Sequence, residues 1–232
     1  FPVRTSLFTH IEDNISDTDF DREKILITIH PEHTDVWYWL IPFADGRSSL
    51  GIVADNHYFD DNDLDSASLL KQFVDQAPEL KALLAQAMFD TPVQKLTGYS
   101  SNVKTLYGDN FALLGNAGEF LDPVFSSGVT IAMKSASLAA PLIHRQLQGE
   151  TVDWESDYSK TLKQGVNTFR AYVEAWYDGR FQEVIFSQNQ STDIRNMISS
   201  ILAGYAWDTD NPFVSQPVKR LNTLVELCRA YA

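Results

Sequence analysis

The chain has 232 residues, 44% of them hydrophobic, and a formal net charge of −13. That much apolar material supplies the core of one large domain or two small ones and excludes global disorder. The acidic balance excludes the clustered-cation surface that duplex nucleic acid requires, and no apolar run reaches the roughly 18 residues of a membrane span. The amino terminus, FPVRTSLFTHIED, has neither the basic nor the apolar region of a signal peptide. It enters directly on a strand-like pattern without an initiator Met, as a piece of something longer does. One cysteine, Cys228, leaves no internal disulfide and no cysteine-based zinc site, which fits a reducing, cytoplasmic setting.

Residues 1–100 read mostly as strands. VRTSLFTHIE is the first, followed by an Asp-rich loop at 13–23. KILITIHP places Ile25, Ile27 and Ile29 on one face and Leu26 and Thr28 on the other, the pattern of a half-buried antiparallel strand. DVWYWLIPF and RSSLGIVAD flank Ala44-Asp45-Gly46 and read as a hairpin. After a polar, acidic stretch at 55–65 the period changes. Leu69, Leu70, Phe73 and Val74, then Leu80, Leu83, Leu84 and Ala87, predict two short helices, with Pro78 at a helix start. PVQKLTGY and NVKTLYG predict short strands, and FALLG a buried strand.

Residues 101–150 then carry a strand–loop–helix unit, and residues 151–232 a helical region. One helix is expected from Ser126-Ser127 to about Gly149, bent at Pro141. Asp153 caps a second, with a stripe of Tyr158, Leu162, Phe169, Val173 and Trp176, ending near Gly179. A third starts at Ser191 or Thr192 and runs to Gly204, and a last follows Pro217. Strands first and helices after is an α+β order.

The stretch GNAGEFLDPVFSSGV, residues 115–129, is the densest in chemistry. Helix starts carry unpaired N–H groups and partial positive charge, suited to an anion or a developing negative charge. Gly128 has no side chain to hold a ligand away. Asp122-Pro123 fixes the approach, because Pro locks φ and Asp accepts hydrogen bonds from the loop or from a ligand hydroxyl. The same spacing also suits a plain strand–loop–helix connection with a Ser N-cap.

This stretch resembles the second flavin-contacting motif of FAD-dependent oxidoreductases on the p-hydroxybenzoate hydroxylase plan, and PVFSSGV resembles the flavin-dependent halogenase branch. The resemblance implies that Gly115, Asn116, Asp122, Pro123, Ser126, Ser127, Gly128 and Val129 contact FAD, with a halide beside Ser127 and Gly128. DVWYWLIP carries Trp37-x-Trp39-x-Ile41-Pro42, similar to the Trp-x-Trp-x-Ile-Pro pattern of halogenases, which implies a substrate region near the flavin. The same residues also suit a strand with two core tryptophans. The stretch YDGRFQEVIFSQNQSTDIRNMISSILAGYAWDTDNPF is similar to the halogenase carboxy-terminal helices.

Two departures from the family pattern stand out. Asn116 occupies the position of the family's Asp. The strand–GxGxxG–helix unit that holds the pyrophosphate is absent, and with it any match to the family's catalytic lysine; Lys134 lies on the wrong element. The implied protein is a fragment of an FAD/NAD(P)-binding fold that binds FAD weakly or not at all alone. In full-length form it passes from reduced flavin through a flavin hydroperoxide to halide chemistry on a small organic substrate. That substrate is free or tethered to a carrier, and a separate flavin reductase is a candidate partner. A flavin monooxygenase, a geranylgeranyl-reductase-like enzyme and a non-catalytic module that lost its cofactor remain as alternatives.

Other constellations point to structure. HPEHTD has His-x-x-His without helical spacing or a matched acidic base, so no metal is expected. Ser126-Ser127 has no evident His partner and no nucleophile elbow. The stripe through Trp176 suits a core, and the sequons at Asn14 and Asn189 lack any sign of secretion.

Overall fold

The fold is taken from a computed structural model, in which residues 1–17, 19–60, 63–188 and 191–231 are described. Asn189, and part of the acidic stretch 55–65, lie outside them. The chain divides into two compact units, Pro2–Tyr99 and the residues from Ser100 onward together with Phe1.

The first unit is an antiparallel sheet with helices on one face. Its strands are β1 (Arg4–Glu12), β2 (Leu26–Ile29), β3 (Trp37–Pro42) and β4 (Arg47–Asp55). The short α1 (His57–Asp60), α2 (Ser66–Asp75) and α3 (Pro78–Leu83) follow, and then β5 (Gln94–Thr97). The order across the sheet is β2-β3-β4-β1-β5. Gly46, at φ +87°, makes the expected hairpin between β3 and β4.

Alternation decides which residues face the helices. Tyr38 pairs with Ile52, Leu40 with Leu50, and Leu7 with Ile52, so these residues share a face. They pack with Leu69, Leu70 and Phe73 of α2 in one core. Full burial of such a side chain contributes about 1.5–3 kcal/mol. Tyr38 keeps its hydroxyl satisfied by donating to the Phe73 carbonyl at 2.9 Å. The carboxylate of Asp65 accepts from the N–H groups of Ala67 and Ser68 and so starts α2, while Pro78 opens α3 as expected. On the edge strand β2 it is Leu26, not the isoleucine face, that packs against the core, and Ile25 is half exposed.

The HPEHTD loop is built around a buried His30. Its Nδ1 accepts the backbone N–H groups of Glu32 and His33 at 3.1 and 3.2 Å, and Nε2 lies 3.3 Å from Gln76 Oε1. Burial holds its pKa below the usual imidazole value, so the ring is neutral and serves to shape the loop.

The second unit begins with short paired segments. These are β6 (Ser101–Asn102) with β9 (Glu119–Phe120), and β7 (Tyr107–Gly108) with β8 (Phe111–Ala112). Helices follow: α4 (Ser127–Leu147), α5 (Thr161–Tyr177), α6 (Arg180–Ile185), α7 (Thr192–Leu202), α8 (Pro212–Ser215) and α9 (Pro217–Ala230). A π-helical turn at Glu155–Lys160 leads into α5, after Asp153 accepts the Ser156 N–H at 3.0 Å. The expected stripe of Tyr158, Leu162, Phe169, Val173 and Trp176 is buried.

FALLG departs from the expected buried strand. Only Phe111–Ala112 is strand, because the chain turns at Gly115 just beyond it; Phe111 is exposed, and Leu113 and Leu114 are half-buried. The short helices α1, α6 and α8 carry too few turns to show a period in the sequence. No helix among the described residues is long and apolar enough to cross a membrane.

Asp13 gives the first unit an acid-sensitive joint. It is almost fully buried and accepts from Arg22 at 2.9 Å, Ser48 Oγ at 2.5 Å and the Ile15 N–H at 3.2 Å. Burial opposes its charge, but the hydrogen bonds from Ser48 and Arg22 prevail and hold the carboxyl below the usual aspartate value. Its contribution is complete above the unfolded-chain value of about 4 and is lost as pH falls through the folded-state value. Asp13→Asn is expected to cost about 1–3 kcal/mol at pH 7. Urea unfolding at pH 7 and pH 3 checks this, with the gap between wild type and variant narrowing at the lower pH.

Candidate functional site

The turn at Gly115–Ala117 is seated directly on α4. Gly115 is buried at φ +53°, a left-handed conformation that side chains rarely adopt. A Cβ added there would lie 3.0 Å from the Ala132 Cβ. Its N–H donates to Ser135 Oγ at 2.9 Å, and the Ser135 hydroxyl donates to the Ala132 carbonyl at 2.7 Å. Asn116 is thereby held at the surface, immediately after an anchored residue.

Asp122-Pro123 forms the second half of the loop. Asp122 is buried, and its carboxylate accepts the Val124 N–H at 3.0 Å and the Tyr177 hydroxyl at 2.8 Å. Both of these partners belong to the protein, so the structure gives Asp122 a bracing role. Pro123–Phe125 is a 3-10 turn, and Ser126 leaves it in the left-handed region at φ +51°. The chain then enters α4 at Ser127, which is buried. Gly128 is half-buried, while Ser126 and Val129 are exposed. Ser126 makes no capping hydrogen bond at the start of α4, so the Ser N-cap that the spacing also suited is not formed. The first-turn amides are therefore not satisfied by that side chain.

Sequence reading missed the braces behind this loop. Tyr177 comes from the end of α5, Glu119 of β9 is paired with Arg170 of α5, and the Tyr158 hydroxyl donates to the Leu113 carbonyl at 2.5 Å. Ser135 stands one turn from Ile131 and Ala139 on the inner row of α4, where a buried hydroxyl among small residues was the available signal. Nothing in the local sequence of Tyr177 announces a bond to a loop 55 positions away.

Trp37, Trp39, Ile41 and Pro42 lie on β3 in the first unit. Trp37 and Trp39 project from the sheet face opposite Tyr38 and Leu40, with ring centroids 5.8 Å apart. Trp37 is buried; Trp39, Ile41 and Pro42 are half-buried. The Trp39 indole donates to Ser49 Oγ at 3.1 Å and lies over Gly51, where a Cβ would come within 2.2 Å of the ring. The structure thus gathers Gly115, Asn116 and Asp122 to Val129 around the first turns of α4, and the tryptophan motif stands on a separate sheet. Lys134 is not among the gathered residues; its ammonium lies 5.4 Å from the Trp207 ring centroid. A 430 Å³ apolar cavity lined by Phe181, Ile198 and Leu224 lies among α6, α7 and α9, and Phe125 of the motif packs edge-on against Phe181 at its wall, ring centroids 5.7 Å apart.

A left-handed glycine turn and the start of α4 are thus fixed to one helix. Comparison with known proteins identifies the family. Residues 28–213 match the tryptophan halogenase family model. The crystal structure of a flavoprotein/dehydrogenase from Cytophaga hutchinsonii superposes with a TM-score of 0.93 at 38% identity, covering 99% of this chain and 56% of that one. The 1H-pyrrole-2-carbonyl-[peptidyl-carrier protein] chlorinase of Pseudomonas fluorescens is 28% identical over 146 residues, which are 62% of this chain and 32% of that protein. The corresponding brominase of Pseudoalteromonas luteoviolacea is 27% identical over 179 residues, 75% of this chain and 43% of that protein. The chain belongs to the tryptophan halogenase family, whose cofactor is FAD. It spans about half the length, or less, of these relatives.

Two glycines separate fold from ligand. Gly115→Ala combines a strained φ with a 3.0 Å contact and is expected to destabilise the chain by about 1–3 kcal/mol. Gly128→Ala adds a methyl 3.4 Å from the Phe120 ring and is expected to cost under about 1 kcal/mol. Thermal unfolding of the two variants checks the order.

Proposed function

We propose that this chain is the carboxy-terminal portion of a halogenase-like, FAD-dependent oxidoreductase. The observation that carries the reading is the junction at α4, where a left-handed glycine turn and an uncapped helix start converge in a chain of the halogenase family. The residues fit one wall of a flavin site. Gly115 allows the backbone a close approach, Asn116 offers a surface amide, and Ser127-Gly128 present first-turn N–H groups.

Bound flavin supplies the oxidising power for halogenation once it has been reduced and has met oxygen. The chain's own residues bind and orient. The start of α4 favours negative charge, on reduced flavin or on a halide beside Ser127 and Gly128, by about 0.3–1 kcal/mol. Asp122, fixed by Val124 and Tyr177, holds the loop that delivers those amides. Trp39, half-buried and backed by the buried Trp37, contributes an aromatic surface for an organic substrate. A carrier-tethered substrate is the favoured class, because the chlorinase and brominase relatives act on a pyrrole carried by a peptidyl carrier protein. A separate reductase supplies reduced flavin, and the setting is cytoplasmic. Similarity to the Cytophaga hutchinsonii flavoprotein/dehydrogenase favours a second reading, a non-halogenating flavin enzyme.

The product of the complete native reading frame is expected to purify with flavin and to consume reduced flavin with incorporation of chloride or bromide into substrate. Bound flavin without halide incorporation supports the second reading, and a colourless protein that takes up no FAD overturns both. The 232-residue chain alone is expected to show no stoichiometric FAD binding at micromolar concentration in a fluorescence titration. In the complete protein Asn116→Asp, which restores a charged acceptor, is expected to tighten FAD binding by about fivefold, or about 1 kcal/mol.

A further inference from the structure

The cavity among α6, α7 and α9 has an apolar interior and one charged group at its mouth. α7 and its cap residue Ser191 present two neighbouring rows to it, each repeating every four residues. Ile194, Ile198 and Leu202 form the apolar row, and Ser191, Arg195 and Ser199 the polar one. Phe181 and Val184 of α6 and Leu224 of α9 extend the apolar wall. Phe181, Val184 and Ile198 are buried, while Arg195 and the two serines are exposed, so the polar row runs along the mouth. The volume of 430 Å³ falls within the range of about 300–1,000 Å³ that small-molecule sites occupy.

Charge narrows the ligand. The chain carries 31 acidic residues, yet none of the described residues lining the cavity is acidic. Nearby arginines are engaged, Arg180 by Asp178 and Arg229 by Glu183. Arg195 has no carboxylate partner among the described residues. In a chain of net charge −13 this guanidinium is therefore not balancing an internal acid. A guanidinium presents a planar fork of donors that matches one carboxylate, and the hydroxyls one turn to either side can donate as well. The apolar row of Ile and Leu offers burial and no hydrogen bond, which suits an alkyl chain.

We propose that this cavity binds a medium-chain alkyl carboxylate, with the chain among α6, α7 and α9 and the carboxylate on Arg195 between Ser191 and Ser199. Apolar burial supplies the affinity, and Arg195 selects an anionic head over a neutral or cationic one. The occupant lies one side chain from the motif loop, because Phe181 of the wall meets Phe125 edge-on at 5.7 Å and Phe125 directly precedes the left-handed Ser126. Nothing in this site depends on bound flavin.

Cys228, the chain's one cysteine, lines the same cavity and is half-buried, so its alkylation reports occupancy. The product of the complete native reading frame is treated with iodoacetamide, with and without decanoate below its micellar concentration, and labelling at Cys228 is resolved by peptide mass spectrometry. Decanoate is expected to slow that labelling saturably, by at least about tenfold, as the occupant shields the thiol. Decanol and decylamine are expected to need concentrations about tenfold higher or more, the worth of a charge-assisted hydrogen bond. Arg195→Gln, at an exposed position, is expected to keep the melting temperature, to weaken decanoate about tenfold and to leave decanol unchanged. Calorimetric titration of the same proteins gives the affinities. Absence of saturable protection by decanoate overturns the proposal, as does equal protection by decanol or decylamine. Decanoate binding in the calorimeter that leaves Cys228 unprotected, or that is unchanged in Arg195→Gln, overturns it too. A Cys228 closed to reagent in the ligand-free protein also overturns it, because the cavity is then covered. The comparison of head groups uses the unsubstituted protein and decides the outcome whatever the variant does to folding.

Discussion

The bond from the Gly115 N–H to Ser135 is the constraint on which the candidate site depends. It ties a left-handed turn to the body of a helix whose own start presents the other half of the wall. Asn116 and the Ser126–Gly128 segment are therefore positioned by one rigid body, α4, and not by two loops moving independently. That arrangement demands small residues. Ala132 lies where any side chain at Gly115 would go, and Ser135 and Ala139 continue the same buried row. Loss of the Ser135 hydroxyl would leave a buried N–H without a partner, a cost of about 1–3 kcal/mol that falls on the turn itself.

Around this anchor the unit uses polar braces where an ordinary core would use hydrocarbon. Asp122 meets Tyr177, Glu119 meets Arg170, and Tyr158 reaches the Leu113 carbonyl. Each brace runs between the loop region and the α5 segment or its leading turn. Ion pairs and buried hydrogen bonds contribute little net stability against well-packed hydrocarbon, but they are directional and become costly when half broken. Their effect is to select one geometry for a loop that also holds Ser126 in a left-handed conformation. The aromatic stripe of α5 supplies the burial that makes this selection sustainable, with Phe169 and Tyr172 fully enclosed.

Much of this was legible because local rules and tertiary packing agree. Period-two alternation in β1, β3 and β4, the Gly46 hairpin, the cap at Asp65 and the prolines opening α3 and α9 all express backbone chemistry that a sequence shows directly. FALLG reads as buried because it is apolar, but burial needs a neighbouring layer, and the sequence of the run does not say whether that layer is present. β2 misleads in a related way: alternation shows two faces, and only the position at the sheet edge decides that Leu26 meets the core. Within the site, Gly115, Asn116 and Gly128 follow from spacing and resemblance. Tyr177, Arg170 and Ser135 do not, since a side chain's partner across tens of residues leaves no local trace.

Magnitudes explain why the chemistry cannot reside in this wall alone. Hydrogen bonds from a few first-turn amides contribute about 0.5–1.5 kcal/mol each, somewhat more toward an anion, and a neutral Asn116 adds no charge. Immobilising a ligand costs an estimated 4–15 kcal/mol before any contact is counted. A wall of three or four such contacts barely meets the lower figure, and a cofactor the size of FAD exposes far more surface than the turn and one helix start can cover. On the flavin reading proposed above, the wall would serve discrimination, holding one edge of the ring and one anion in register. Affinity has to come from the surfaces that grip the rest of the cofactor. On that reading, strong geometric definition with little binding energy suits a division of labour in which other surfaces of the complete protein supply the affinity, and their contacts can offset the cost of Asn116.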